Sequence, residues 1–368
     1  MFKTNIKLGK IWGIPIGLHS SWFLILVLLT YSLGTGYFQQ EYPFLSITVT
    51  LLLGLATSLL LFASVLAHEL GHSYIAIRNE IPVEGITLYI FGGLARIGKE
   101  PDSPGEEFRI AIAGPIVSIG LGLFFGGLWL LAQTVPVLGA PSYYLMRINL
   151  ILAFFNLLPG FPLDGGRVLR ALLWSWTGNL TLATRVAAIS GRVVAFGFFG
   201  AGLMMMFFTQ ILNGVWLIFI GWFLFNAASR AYSQINMRES LSGGYVVDVM
   251  GREYREVSRL MTLQQLVDQQ ASTQEPGSYF ITDDGFLKGM ITLRNISVIP
   301  QRSWRFVTVE QVMVPMSRIT IVTPETDLLT ALQMMDAARL SQVPVLEEGK
   351  LVGTLNREQI QNFVKTKS

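Results

Sequence analysis

The chain contains no cysteine in 368 residues, which excludes disulfides, thiol nucleophiles and thiolate metal sites. Charge is scarce too. Charged residues make up 14% and hydrophobic ones 51%, whereas an ordinary soluble chain is about one quarter charged. A net charge of +3, without a basic run interleaved with aromatics, leaves no footprint for nucleic acid. Histidine is nearly missing, with three in the whole chain. The first apolar segment, preceded by Lys3, Lys7 and Lys10, lacks a small-residue cleavage pattern behind it. It is therefore expected to be a retained span and not a signal or transit peptide.

Long apolar runs fill the first 230 residues, and an ordinary soluble α/β composition follows. Runs able to cross a hydrocarbon core, which takes about 20 residues, fall at 20–38, 46–77, 108–133, 145–174, 189–209 and 211–229. The last two share a short turn at Thr209-Gln210. The fold class expected is an α-helical polytopic membrane protein with six transmembrane helices and a small membrane-associated β-sheet, plus a soluble α/β tail. The domains expected are 1–230 in the membrane, a linker at 231–245, and soluble units at 246–304 and 305–368. Lys and Arg gather at the N-terminus, in the 78–107 connection (Arg78, Arg96, Lys99) and at Arg167, Arg170, Arg185 and Arg192. The opposite connections are nearly bare of them. By the positive-inside rule the N-terminus and the soluble tail face the cytoplasm of a multi-pass protein in the cell membrane.

Residues 46–67 hold no charged side chain, yet His68-Glu69-Leu70-Gly71-His72 follows at once. On a helix, positions i and i+4 lie about 40° apart, so both imidazoles can reach one metal ion. Glu69 between them suits a general base that activates water at that metal. In a soluble helix the same letters could be a polar surface face. In a span, unpartnered ionisable groups are costly, by several kcal/mol each, and a bound Zn²⁺ removes the difficulty. If Arg78 marks the cytoplasmic surface, a rise of about 1.5 Å per residue sets His72 and His68 roughly 9 and 15 Å below it.

A catalytic zinc takes three protein ligands plus water, and two candidates compete for the third place. Asn156-Leu-Leu-Pro-Gly-Phe-Pro-Leu-Asp164-Gly-Gly-Arg167 puts two prolines and three glycines inside the fourth run, which breaks its helix. Such backbone survives at membrane depth only under protein or beside a watery cavity. Asp164 on that break is favoured over His19, which reads as a structural or interfacial residue at the entry to the first span. Asn156 could donate to an oxyanion or satisfy backbone carbonyls freed by the break. Residues 81–97, rich in β-branched and aromatic side chains, read as one or two strands whose edge could pair with an extended peptide. The tail repeats itself: Val246–Ile296 and Thr308–Ile360 each offer a short opening helix, a longer helix, and a strand pair about a Gly turn.

These residues together resemble the site-2 protease family of intramembrane zinc metalloproteases. The likeness rests on His68-Glu69-Leu-Gly-His72, Phe91-Gly-Gly93, Ala113-Gly-Pro115 and the Asn156 to Gly166 stretch, and covers about residues 8–230. It implies one zinc per chain held by His68, His72 and Asp164, with Glu69 as catalytic base. Asn156 would assist the oxyanion or position the substrate. It also implies a membrane-spanning protein substrate taken from the lipid bilayer. The tail resembles a tandem pair of CBS (cystathionine β-synthase) modules, found in one branch of that family. Such a pair implies regulation, self-association into a homo-oligomer, and an adenine nucleotide as ligand. In nucleotide-binding modules a Gly-h-h-Thr-x-x-Asp pattern carries the acid for the ribose; here Asn295, and then Asn356 and Gln359, depart from it. A different reading treats His68, Glu69, His72 and Asp164 as an ion path in a CBS-gated transporter or channel.

Overall fold

The computed structural model describes residues 6–90, 92–208, 211–271, 278–338 and 340–367. Phe91 and the Thr209-Gln210 turn lie outside the described residues. The chain divides into two compact units, Met1–Ile235 and Asn236–Ser368.

In the first unit, six helices among the described residues are long and apolar enough to cross a membrane. They are α1 (Ser21–Glu41), α2 (Ile47–Arg78), α3 (Pro104–Leu131), α4 (Pro136–Asn156), α6 (Leu180–Phe208) and α7 (Ile211–Leu241). A shorter helix, α5 (Asp164–Thr177), lies between α4 and α6. Four expected spans are redrawn: the fifth starts earlier, at Leu180, and the sixth runs on to Leu241, through much of the expected linker. The third starts at Pro104, where the Ser103 hydroxyl accepts from the Glu106 amide at 3.3 Å. That brings Glu107 into the helix, four residues after Ser103. The fourth starts at Pro136 and ends at Asn156, because proline in a first turn favours helix entry and does not break it. The expected single run to 174 is thus a span, a turn and a separate helix.

The 157–163 turn finds backbone partners both within itself and on α6. The Gly160 amide donates to the Leu158 carbonyl at 2.9 Å, Leu163 to Gly160 at 3.0 Å, and Phe161 to Ala187 of α6 at 3.1 Å. The Phe161-Pro162 peptide is cis. A Cβ on Gly165 or Gly166 would run into backbone of residues 157–161, so only glycine lets α5 start directly under the turn.

Four strands make one sheet in the order β1 (Ile6–Ile11), β2 (Ile14–Leu18), β3 (Val83–Tyr89), β4 (Gly92–Ile97). The β2–β3 pair is parallel and the other two are antiparallel. The 81–97 segment, read as one or two strands, thus shares a sheet with residues 6–18 of the lead-in to the first span, and β4 is one of its edges. Where the sheet meets the helices, Leu18, Trp22, Phe62 and Leu88 are buried together.

The second unit has a sheet in the order β5 (Arg255–Glu256), β6 (Ser278–Asp283), β7 (Phe286–Thr292), β10 (Lys350–Asn356), β9 (Gln342–Glu347), with β8 (Val314–Pro315) on β7. The internal repeat is visible in its turns. Asp284 and Gly285 have φ of 51° and 82°, and Glu348 and Gly349 repeat those values, the left-handed pair of a type I′ hairpin. Three apolar clusters form the core, around Leu328 and Val345, around Leu263 and Ile281, and around Phe280 and Leu351. The amides that depart from the nucleotide pattern are engaged in helix caps. Asn295 Oδ1 accepts from the Thr292 amide at 3.0 Å, and Asn356 and Gln359 bond each other's amides at 2.8 Å, a reciprocal arrangement that closes a helix N-terminus.

Candidate metal centre

His68 and His72 fall on one face of α2, and both are buried, at 4% and 5% exposure. Asp164 opens α5 under the 157–163 turn. His68 Nε2 lies 3.2 Å from Asp164 Oδ2, His72 Nε2 3.1 Å from the same oxygen, and the two Nε2 atoms 3.1 Å from each other. Ligand atoms of these three side chains, drawn from two helices 92 residues apart in sequence, gather within 4.8 Å.

The far side of each ring shows what the near side can do. His72 Nδ1–H donates to the Ile110 carbonyl at 2.6 Å. A carbonyl only accepts, so in the neutral ring Nε2 keeps its lone pair and turns it toward Asp164 and His68. His68 Nδ1 pairs with the buried Ser118 hydroxyl at 2.9 Å. A lone pair of His72, a carboxylate oxygen and a second imidazole nitrogen thus meet at contact distance. Such a set repels itself unless a proton or a cation stands among them, and two imidazoles with one carboxylate is a familiar donor set for zinc. A His donor whose other ring nitrogen is held by a carbonyl or hydroxyl is the usual support of a metal ligand. The residues fit a zinc ion.

Space for the rings comes from α3. A Cβ placed on Gly114 would meet His72 Nε2 and would stand 2.6 Å from His68 Nε2. Positions 107, 110, 114 and 118 of α3 lie on one side of the helix, and this side backs the whole centre. Glu107 is fully buried, accepts from Arg170 Nε at 2.7 Å and from Arg170 Nη2, and lies 3.9 Å from Arg167 Nε.

A cavity of about 310 Å³ opens beside the three ligand atoms, and Glu69, Asn156 and Arg167 line it. Strand β4 passes over Glu69 so closely that a Cβ on Gly93 would stand 2.5 Å from Glu69 Cγ. His68, His72, Asp164, Glu69 and Asn156 therefore share one site. His19 takes no part in the cluster; its Nδ1 lies 2.8 Å from Ser21 Oγ at the foot of α1. Reasoning from sequence missed Ser118, the Ile110 carbonyl, and the Glu107–Arg170 pair. The pair had a signal: two arginines three and six residues beyond Asp164, in a run otherwise apolar, need a buried acid as much as the histidines need a metal.

Several known proteins are similar to this chain in sequence. A family model described as peptidase family M50 matches residues 56–138 and 131–201, and a CBS domain model matches residues 309–365. A Synechocystis protein named as a candidate zinc metalloprotease is 34% identical, over 99% of this chain and 96% of its own length. A zinc metalloprotease of Methanocaldococcus jannaschii is 32% identical over 97% of this chain and 95% of its own. The solved structure of a site-2 protease from Methanocaldococcus jannaschii shares 33% identity, covers 62% of this chain and 94% of its own, and superposes with a TM-score of 0.40.

Proposed function

Since the chain belongs to peptidase family M50 and is a metalloprotease of the multi-pass membrane type, we propose that it hydrolyses a peptide bond within or near the transmembrane segment of a membrane-protein substrate. The observation that carries the reading is the meeting of His68 Nε2, His72 Nε2 and Asp164 Oδ2 within 4.8 Å, with both imidazoles on a helix long and apolar enough to cross a bilayer. These three side chains are the proposed zinc ligands, for one ion per chain. Zinc supplies, when bound, a Lewis acid that lowers the pKa of water towards neutrality and polarises a carbonyl.

The remaining work falls to the chain's own groups. Glu69 takes a proton from the attacking water and returns it to the leaving amine. Asn156 donates its side-chain amide to the oxygen that gains charge as the carbonyl is attacked. A substrate helix unwinds locally and lies along the β4 edge as an added strand, with Gly93 keeping the two backbones close to Glu69. The Lys and Arg distribution supports a cytoplasmic N-terminus and tail, so water enters from the cytoplasmic side. The CBS pair, spanning about 246–304 and 305–368, regulates cleavage and offers a surface for self-association. The capping roles of Asn295, Asn356 and Gln359 argue for a ligand other than an adenine nucleotide.

The test is Glu69→Gln, assayed on single-span membrane proteins co-reconstituted with the purified chain. The expected result is loss of cleavage with zinc content unchanged. Full cleavage by the variant would refute the mechanism, and vesicles that pass ions without forming peptide products would point to the transporter reading instead.

A further inference from the structure

The two imidazoles have visible supports: Ser118 holds His68 and the Ile110 carbonyl holds His72. Among the described residues, the hydrogen bonds recorded for the Asp164 carboxylate are those to the two imidazoles. It opens α5, whose N-cap residue Leu163 makes no side-chain cap, directly after a turn that breaks the span. A carboxylate carried on so short a lead would wander unless α5 were held in rotation and in height. A functional constellation keeps its geometry only when held to within about 0.5 Å, so something must supply that hold.

Arg167 and Arg170 follow Asp164 by three and six residues, which brings them to the same side of α5 within two turns. Both reach Glu107 on α3, three residues before Ile110 and seven before Gly114. Glu107 is the one carboxylate among the described residues that is fully buried. Its Oε1 takes both Nε (2.7 Å) and Nη2 of Arg170, and its Oε2 has no partner among the described residues. The Arg170 guanidinium also lies over the Phe161 ring, 5.3 Å from its centre, so the same side chain touches the turn that leads into Asp164. Buried ion pairs of this kind add little net stability against an apolar alternative, and their best-attested use is to fix register. The register at issue here is that of α5 against the helix that backs both histidines.

We propose that Glu107 and Arg170 are positioning residues for Asp164, setting its carboxylate against His68 and His72 in the way Ser118 sets His68. The inference rests on the zinc-site reading above. It makes zinc affinity depend on an ion pair that touches neither the metal nor the substrate. Supports of this sort change metal affinity about 10- to 100-fold when removed.

The experiment is zinc competition against chelators of graded strength, on the full chain in detergent, for wild type, Glu107→Gln, Arg170→Lys, Asp164→Asn and the Glu107→Gln/Asp164→Asn double variant. Glu107→Gln is expected to lose 10- to 100-fold in affinity. Arg170→Lys keeps the charge but not the planar fork and is expected to lose less. In the Asp164→Asn background, Glu107→Gln is expected to change nothing further, because the group it positions no longer binds. Cobalt in place of zinc reports the same event as a shift of its visible bands in Glu107→Gln. Wild-type affinity in Glu107→Gln would overturn the proposal, as would an equal loss with and without Asp164, which marks general damage to the fold. If Glu107→Gln does not elute as a single folded species, Arg170→Lys with and without Asp164→Asn carries the same cycle. A wild-type chain that takes up no zinc would instead bring down the site reading itself.

Discussion

Gly114→Ala adds one methyl group to a helix that contributes no ligand, and it should abolish the metal centre. The added Cβ would stand 2.6 Å from both His68 Nε2 and His72 Cε1, and closer still to His72 Nε2. Ordinary contact for such atoms begins at 3.4 Å, so the His68 ring must retreat by about 0.8 Å and the His72 ring by more. A functional constellation keeps working only within about 0.5 Å of its geometry, and the rings have little room to retreat because Ser118 and Ile110 pin their far sides. Loss of productive geometry at two of three ligands is expected to lower zinc affinity by at least about 100-fold, or about 2.7 kcal/mol. Chelator competition on the detergent-solubilised chain measures it. Gly120→Ala and Gly127→Ala are the controls, since a Cβ at either meets nothing within 4 Å on the same helix, and both should stay within about two-fold of wild type. A Gly114→Ala chain with full zinc stoichiometry and affinity within about three-fold of wild type would refute the idea that α3 backs the centre.

Gly93→Ala should separate base from metal: the new Cβ, 2.5 Å from Glu69 Cγ, displaces the glutamate and lowers cleavage at least ten-fold, while zinc content measured by atomic absorption is unchanged. Ser118→Ala removes the partner of His68 Nδ1 and is expected to weaken zinc about ten-fold, read by the same chelator competition. Chelation should lower the unfolding temperature of the membrane unit, because an ion that binds only the folded state stabilises it by mass action; restoring zinc should reverse the shift seen by calorimetry. In the second unit, Asp327 caps the helix Leu328–Ala337 by accepting from the Thr330 amide at 2.9 Å, and hydrogen bonding by the Thr330 side chain, then by its amide, holds the Asp327 carboxyl below the ordinary Asp value. A depressed folded value means that the cap is fully effective above the unfolded pKa, about 3.9, and is lost as pH falls through the folded one. Asp327→Ala should therefore cost about 1 kcal/mol at neutral pH, seen as faster amide exchange across that helix, and the difference from wild type should shrink in acid.

The residues readable from sequence are those whose presence in a membrane demands a partner. His68, Glu69, His72 and Asp164 stood out because each is expensive in an apolar run, and the prolines and glycines after Asn156 stood out because they cannot continue a helix. The β-sheet was readable from its β-branched stretches, though not the parallel β2–β3 join, since nothing local links residues 14–18 to 83–89. Span edges were less legible. Charge near the end of a run reads as a surface marker, so sequence alone sets Glu107 outside the third span and makes Arg167 and Arg170 markers of topology. In the fold these three meet one another within protein. The supports of the histidines had no signature at all: a serine, a glycine and a backbone carbonyl are chemically ordinary until the helix carrying them is placed.

That placement explains why the proposed metal site draws on three elements when two carry its proposed ligands. Helix α2 can present two imidazoles by helical spacing alone, but the third donor must come from elsewhere at the same depth, and a continuous span would offer only side chains already committed to its own helix face. Breaking the chain after Asn156 frees α5 to start at the centre of the site with Asp164 at its head. The break also removes the constraint that a continuous helix would impose on where Asp164 sits. Helix α3 restores it, through Glu107 to α5 and through Ser118, Ile110 and Gly114 to α2. One helix face thus ties the two ligand-bearing elements to a common reference. Substitutions along that face should mimic loss of a ligand, whereas substitutions on the opposite face of α3, such as Gly120→Ala, should be silent at the metal.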